Sequence, residues 1–374
     1  MSEMSDHPLL PANQRIPSND PANMVIIEVG LPGDTWRYCI ERHRLAEKSE
    51  WFRAMLLGQL APEASNPPPT LQLQYVEKRA FDHLLRYLHD EPVNFQSVST
   101  ARATLDAAHQ YLWPELARLS VEFLERNLNP GTVLKVFRGL NYYAEEGGSR
   151  VLDEPSAPPS PGDDAGEIAR LCTRLLLSCL AVIDQDPEAI LGQERFEELT
   201  ALEVEEIARR DSLRLPRENL LFAALERWAA AECRRQGRDP TAANKRAALQ
   251  DEVWFSVRYP LMTDKEFVEG PMASGILTIE ESTYIVAKIL GHRRDGGADL
   301  LRSPDARALS RLSSVARAGV ANAVDLQDPR MSKPGKRERE DNKRNRRKEC
   351  ANQGHRACAR IGDCLIRVLA CVFD

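Results

Sequence analysis

The residues best suited to chemistry are cysteines and histidines near the carboxyl end of the chain. They are Cys350, His355, Cys358, Cys364 and Cys371. Thiolate sulfur and imidazole nitrogen are the usual ligands of structural zinc, whose sites normally show two tightly spaced ligand pairs. Only His355 and Cys358 form such a pair here. We therefore expect no metal site and no cofactor.

Other cysteines and histidines lie in segments with strong structural patterns. Cys172 and Cys179 are seven residues apart on an apolar helical face, so we interpret them as packing residues. Four histidines lie in predicted helices or strands without a nucleophile nearby in sequence: His43, His83, His89 and His109. A general base needs a partner within hydrogen-bond reach, so we interpret these as core or surface histidines.

The chain also lacks the common catalytic signatures. It contains no G-x-x-x-x-G-K-[ST], G-x-G-x-x-G, H-E-x-x-H or G-x-S-x-G sequence. The formal net charge of −6 does not suggest nucleic-acid binding by the whole chain. No apolar run is long enough to span a bilayer, and the start resembles no signal peptide. We expect a protein without catalysis, small-molecule ligand or membrane span, in a reduced intracellular environment.

A basic segment precedes the last cysteines. Five cations cluster there: Lys343, Arg344, Arg346, Arg347 and Lys348. Such runs can act as nuclear import signals, although a solvated charged segment is the alternative. We expect a cytoplasmic protein, and the basic segment adds nuclear accumulation as the second localisation.

The elements that would position these residues begin after residues 1–22, which we predict to be a disordered leader. Residues 25–29 and the alternating residues 36–41 predict a β-hairpin. A helix over residues 50–57, a short strand at 71–73 and further helices at 81–88 and 101–127 follow. Residues 23–128 thus predict an α+β domain with a short sheet capped by helices.

The second half reads as helices alone. Residues 129–290 predict an all-α domain, interrupted by an acidic Gly/Pro/Ser-rich insertion at 144–166 that we predict to be disordered. A strong apolar stripe runs from Ile168 to Ile183, and a second helix begins near residues 215–218 with Pro216 in its first turn. The remaining residues, 291–374, predict a disordered basic and Cys-containing tail.

Several segments resemble a known family. The sequence HRLAEKSEWFRAML at residues 43–56 resembles the start of a BTB/POZ domain, and residues 81–88 and 106–112 resemble two of its later helices. Residues 218–233 resemble the signature helix of a BACK domain, and residues 257–263 resemble its V-R-x-P-x-M turn. The chain is similar to BTB–BACK proteins that lack Kelch repeats, and we find no PHR β-sandwich.

This resemblance implies a protein-interaction adaptor, namely the substrate-recruiting subunit of a cullin-3 ubiquitin ligase. Its partners would be a second copy of the chain, cullin-3 and an unidentified protein substrate. The family's cullin face maps onto five residues: Phe52, Met55, Leu56, Leu60 and Glu63. Pro62 stands where relatives carry an acidic residue, which predicts weak cullin binding. The alternative is a BTB-dimerised nuclear or cytoplasmic scaffold that does not bind cullin.

Overall fold

The computed structural model describes six stretches of the chain: residues 23–31, 33–59, 61–73, 76–143, 164–291 and 314–318. The leader at residues 1–22 lies outside them, as do residues 144–163 and most of the predicted tail. The contacts divide the chain into two compact units, Met1–Leu213 and Arg214–Asp374. This division follows tertiary contacts. The domain boundary predicted between residues 128 and 129 stays a prediction.

The first unit is built around a three-stranded sheet. Its strands are β1 (Met24–Leu31), β2 (Asp34–Glu41) and β3 (Thr70–Leu73), in the order β2-β1-β3. Strands β1 and β2 pair antiparallel, which confirms the predicted hairpin, and β3 runs parallel to β1. Gly33 takes a φ of 90° in the connecting turn, a conformation that glycine adopts without steric cost.

Helices cover this sheet and extend the first unit. They are α1 (Arg42–Lys48), α2 (Glu50–Leu57), α3 (Lys78–Leu88), α4 (Val98–Gln110), α5 (Pro114–Arg126), α6 (Val133–Phe137), α7 (Asp164–Gln185), α8 (Pro187–Leu191) and α9 (Ala201–Arg209). Helix α3 packs on α4, α4 on α5, and α5 on α7. The expected α+β architecture followed by helices is confirmed.

The core of the sheet region joins β1 to α3. Val25, Ile27 and Val29 of β1 are buried, and so are the four apolar residues at helical spacing on α3, Phe81, Leu84, Leu85 and Leu88. The rings of Tyr38 and Phe81 lie 5.2 Å apart between centroids. Burying one such side chain contributes about 1.5–3 kcal/mol, so this face stabilises the hairpin against the helices.

The boundaries and faces of two helices in this unit differ from the sequence predictions. Helix α7 begins at Asp164, within the range predicted to be disordered, because the acidic residues at 164 and 167 occupy its first turn and suit the helix dipole. On α5, Leu116 and Leu124 are buried, as expected, whereas Leu119 is 38% exposed. The apolar face of α5 is therefore narrower than its leucine content indicates.

The second unit is helical among the residues described. Its α-helices are α10 (Glu218–Arg235), α11 (Ala242–Ala248), α12 (Asp251–Trp254), α13 (Asp264–Phe267) and α14 (Ile279–Ile289). Helix α10 buries Leu221, Leu225 and Trp228, as its spacing predicts. Its start differs from the prediction: Arg217 is extended with φ −149°, so Pro216 precedes the helix instead of lying in its first turn.

A short piece of the predicted tail also belongs to the second unit. Residues 314–318 are described, and Arg317 within them is only 2% exposed. These five residues therefore differ from the predicted disorder of residues 291–374, which stays a prediction for the rest of that range. The physical reason is an ion pair between Arg317 and Glu218, which are 99 positions apart and therefore leave no local pattern in the sequence.

Candidate functional site

Helix α2 is anchored at its start by Ser49. The hydroxyl of Ser49 accepts a hydrogen bond from the backbone N–H of Phe52 at 3.3 Å, as an N-cap does, and it donates to the carbonyl of Tyr111 at 2.6 Å. A single buried side chain thus satisfies the first turn of α2 and ties it to the end of α4.

The inner face of α2 is filled by Phe52 and Leu56, which are 0% and 1% exposed. The ring of Phe52 packs against three aromatic rings, those of Trp51, Tyr111 and Trp113, at centroid distances of 4.8 to 5.5 Å. Such aromatic pairs stabilise the folded chain beyond the contribution of the apolar area that they bury. Phe52 and Leu56, which the sequence analysis assigned to the cullin face, therefore pack in the core of the chain and are not presented on its surface.

The outer face of α2 presents Met55 and Leu57. Their exposed fractions are 36% and 45%, and Arg53 and Ala54 beside them are also exposed. Two exposed apolar side chains on one helix, flanked by charge, resemble the apolar anchor and polar rim of a protein interface. Of the five residues assigned from the sequence, Met55 and Glu63 are exposed, and Leu60 lies outside the described residues.

The loop after α2 departs from the helix at Gly58. The Gly58 N–H donates to the carbonyl of Ala54 at 3.1 Å. A Cβ atom at Gly58 would overlap this same carbonyl oxygen, so the close approach requires glycine. The N–H of Ala61 then donates to the carbonyl of Gly58 at 3.1 Å, which turns the chain toward Pro62 and Glu63.

Arg42 fixes the backbone of this loop through hydrogen bonds. Its buried guanidinium donates to the carbonyls of Pro62 at 2.6 Å and Glu63 at 3.4 Å, and also to the carbonyl of Met24 at 3.4 Å. Arg42 therefore links the loop to strand β1. The sequence analysis missed this residue, because an arginine at the start of a helix is usually exposed and no spacing pattern marks a buried one.

The histidines and cysteines of the described residues differ in their surroundings. His43 is exposed, whereas His83 is buried. Burial raises the pKa of the Cys172 thiol to about 11 and that of Cys179 to about 12, which disfavours the reactive thiolate and agrees with packing roles. No cluster of three or more metal-ligating side chains occurs among the residues described.

The remaining sequence candidates cannot be placed. Cys350, His355, Cys358, Cys364 and Cys371 lie outside the described residues, and so do the five cations of the basic segment at 343–348. Within the part of the chain that the structure describes, no helix combines the length and the apolar character that crossing a membrane requires.

Comparison with known families agrees with this architecture. Residues 33–128 match the model of the BTB/POZ domain, and residues 167–270 match that of the BACK region, whose name stands for BTB And C-terminal Kelch. The fold and these matches define an α+β interaction module followed by a helical module. The chain belongs to the BTB/POZ–BACK domain proteins, which confirms the resemblance seen in the sequence.

The curated relatives carry the same domain name. BTB/POZ domain-containing protein 6-B of Danio rerio is 34% identical over 282 residues, which are 75% of this chain and 52% of the relative. BTB/POZ domain-containing protein 6 of Homo sapiens is 34% identical over 69% of this chain and 41% of its own length. The corresponding figures for protein 3 of Homo sapiens are 30%, 72% and 45%. The chain spans about half the length of these relatives.

Proposed function

We propose that the chain acts as a protein-interaction adaptor that recruits protein substrates to a cullin-3 ubiquitin ligase through its BTB domain. The observation that carries this proposal is the exposed apolar pair Met55 and Leu57 on α2, next to a loop whose backbone is held by Arg42. A protein–protein interface gains most of its affinity from a few apolar anchor residues, and a surface that is already rigid loses less entropy on binding. Glu63 on that loop supplies an exposed acidic contact.

Pro62 limits the affinity of this surface. Proline has no backbone N–H, and the resemblance to the BTB/POZ family implies that an acidic residue often stands at this position in that family. Losing one charge-assisted hydrogen bond costs about 1.5–3 kcal/mol, which corresponds to about tenfold or more in affinity. Because Arg42 contacts the carbonyl at position 62 and not the proline ring, replacing Pro62 leaves that hydrogen bond available.

The test is calorimetry of the full chain against the N-terminal region of cullin-3. We expect weak binding by the wild type, binding about tenfold tighter by Pro62→Glu, and a loss of about tenfold or more in Met55→Glu and Leu57→Glu. The matched control is Leu202→Glu, since Leu202 is a 74% exposed leucine on α9 of the same unit. No binding by either the wild type or Pro62→Glu would remove the ligase role.

The second candidate is a BTB-dimerised scaffold that does not bind cullin. The basic segment at residues 343–348 favours it, because such a run suits a nuclear import carrier. Changing Lys343, Arg344, Arg346 and Arg347 to Ala should then move tagged protein from the nucleus to the cytoplasm. An unchanged distribution would mean that this segment is only a solvated charged run.

Neither candidate involves catalysis by this chain. Purified protein should show no turnover in a broad screen for hydrolase and transferase activities. Turnover that is abolished by substitution of a single histidine or cysteine would contradict this expectation.

A further inference from the structure

Arg317 is the most completely buried cation of the described residues, and it comes from a segment outside both family-model matches. Its Nε donates to Oε1 of Glu218 at 2.7 Å. One terminal nitrogen donates to Oε2 of Glu218 at 3.0 Å and to the carbonyl of Ser256 at 3.2 Å. The side chains of Arg317 and Glu218 are 2% and 6% exposed, so neither charged group is well hydrated.

The acceptor oxygens are held in place by contacts that do not involve the segment. Glu218 lies in the first turn of α10, where the helix dipole favours a negative charge. The backbone N–H of Arg258 also donates to Oε2 of Glu218 at 3.1 Å. The carboxylate is therefore oriented before an arginine reaches it, and a buried carboxylate without a cation is strongly unfavourable.

The geometry selects arginine over lysine. Two guanidinium nitrogens meet the two carboxylate oxygens side by side, a planar fork that a single ammonium group cannot reproduce. The side chain of Arg258 adds a contact to the peptide backbone, since it donates to the carbonyl of Val315 at 2.8 Å. The side chain of Val315 is 73% exposed, so this contact does not depend on which side chain occupies position 315.

We propose that Glu218, Ser256 and Arg258 form a binding site for an arginine-bearing peptide segment, and that residues 314–318 of the same chain occupy this site. The site recognises one guanidinium and one main-chain carbonyl two positions before it. An arginine-bearing segment of another protein could bind here only after residues 314–318 have left. The inference is independent of cullin binding, because it concerns only residues of the second unit.

The first test uses a fluorescent peptide with the sequence of residues 314–318 and measures its anisotropy with the 374-residue chain. The peptide should bind the Arg317→Ala chain, whose site is vacant, and bind the wild type at least about tenfold more weakly, because the site is free in only a small fraction of molecules. A peptide with lysine in place of arginine should lose about tenfold or more.

The control variants separate the site from the overall fold. Adding Glu218→Gln to Arg317→Ala should abolish peptide binding, whereas adding Glu252→Gln, a change at an exposed glutamate of the same unit, should preserve it. Circular dichroism establishes that each variant is folded. Equal binding to the wild type and to Arg317→Ala, or binding that survives Glu218→Gln, would overturn the proposal.

A second measurement does not depend on the peptide. Trypsin should cleave the bond after Arg317 slowly in the wild type and at least about tenfold faster in Glu218→Gln, because a protease reaches only the undocked segment. Protection should not change on dilution, since the occupant belongs to the same chain. Equal cleavage rates in the two proteins, or protection that disappears on dilution, would contradict docking within one chain.

Discussion

At the scale of single residues, Arg42 has the clearest consequence for the interaction surface. It is 7% exposed and donates to three backbone carbonyls, two of which belong to the loop after α2. In Arg42→Ala these carbonyls lose their charged donor. We expect the free energy of unfolding to fall by about 1.5–3 kcal/mol in urea denaturation. The cullin binding that we propose should weaken as well, because the loop would no longer be ordered before binding.

The matched control is Arg126→Ala. Arg126 also forms an ion pair, with Glu122 on its own helix α5, but both side chains are exposed, by 72% and 42%. An exposed pair contributes about 0–1 kcal/mol, so this variant should keep nearly the wild-type stability. If Arg42→Ala were as stable as Arg126→Ala, the loop would not depend on Arg42.

His83 is a second residue whose burial has a measurable effect. Burial, reinforced by the positive charges of Arg86 and Arg79, lowers the pKa of His83 from 6.5 to about 4. Its Nδ1 atom is buried without a hydrogen-bond partner in the described part of the chain, and its ring meets the edge of Phe95 at 5.0 Å. The folded protein therefore holds this imidazole in its neutral form.

This shift in pKa makes stability depend on pH. Above pH 6.5 His83 is neutral in both states, whereas between pH 6.5 and about 4 only the unfolded chain binds the proton. The free energy of unfolding should thus fall as the pH falls through this window, by up to about 1.4 kcal/mol per pH unit from this residue. Urea denaturation at several pH values should show a shallower dependence for His83→Leu.

The control for this prediction is His43→Gln, a change at an exposed histidine. Its stability should follow the wild-type dependence on pH. If His83→Leu and the wild type had the same slope between pH 6.5 and 4, the buried imidazole would not be the group that titrates.

At the scale of elements, the position of α2 depends on its first turn. Ser49 is 2% exposed, caps the helix and bonds to the end of α4. In Ser49→Ala both hydrogen bonds are lost, and the buried carbonyl of Tyr111 loses this donor. We expect thermal and urea unfolding to report a loss of about 1–2 kcal/mol, since a lost N-cap alone costs about 1 kcal/mol.

Ser178→Ala is the corresponding control on α7. The Ser178 hydroxyl donates only to the carbonyl of Arg174 in its own helix, at an exposed position. Surface changes of this kind stay within about 0.5 kcal/mol. A Ser49→Ala protein as stable as Ser178→Ala would show that the aromatic contacts of Phe52 alone position α2.

At the scale of the whole molecule, we predict that the chain forms a homodimer through its BTB domain. Modules of this kind bury apolar helix faces against a second copy, and two-fold symmetry is the commonest way to close such an assembly. Light scattering of the 374-residue chain should give twice its monomer mass of 42.1 kDa. A species of 42.1 kDa at micromolar concentration would contradict the prediction.

The sequence by itself determined which elements form in most of the described chain. Alternation at residues 36–41 predicted a strand, and β2 indeed buries Tyr38 and Ile40. The apolar stripe from Ile168 to Ile183 predicted α7 for a similar reason, because its side chains recur on one face. These patterns are local, so they can be read without knowing the path of the chain.

Tertiary structure alone decided which residues lie on the candidate surface. Helix α2 carries apolar residues on both sides, so its pattern could not separate the buried Phe52 and Leu56 from the exposed Met55 and Leu57. The docking of Arg42 beneath the loop and of Arg317 on Glu218 joins residues 20 and 99 positions apart. Such contacts form between segments that are distant in sequence, so the spacing of residues within one segment cannot predict them.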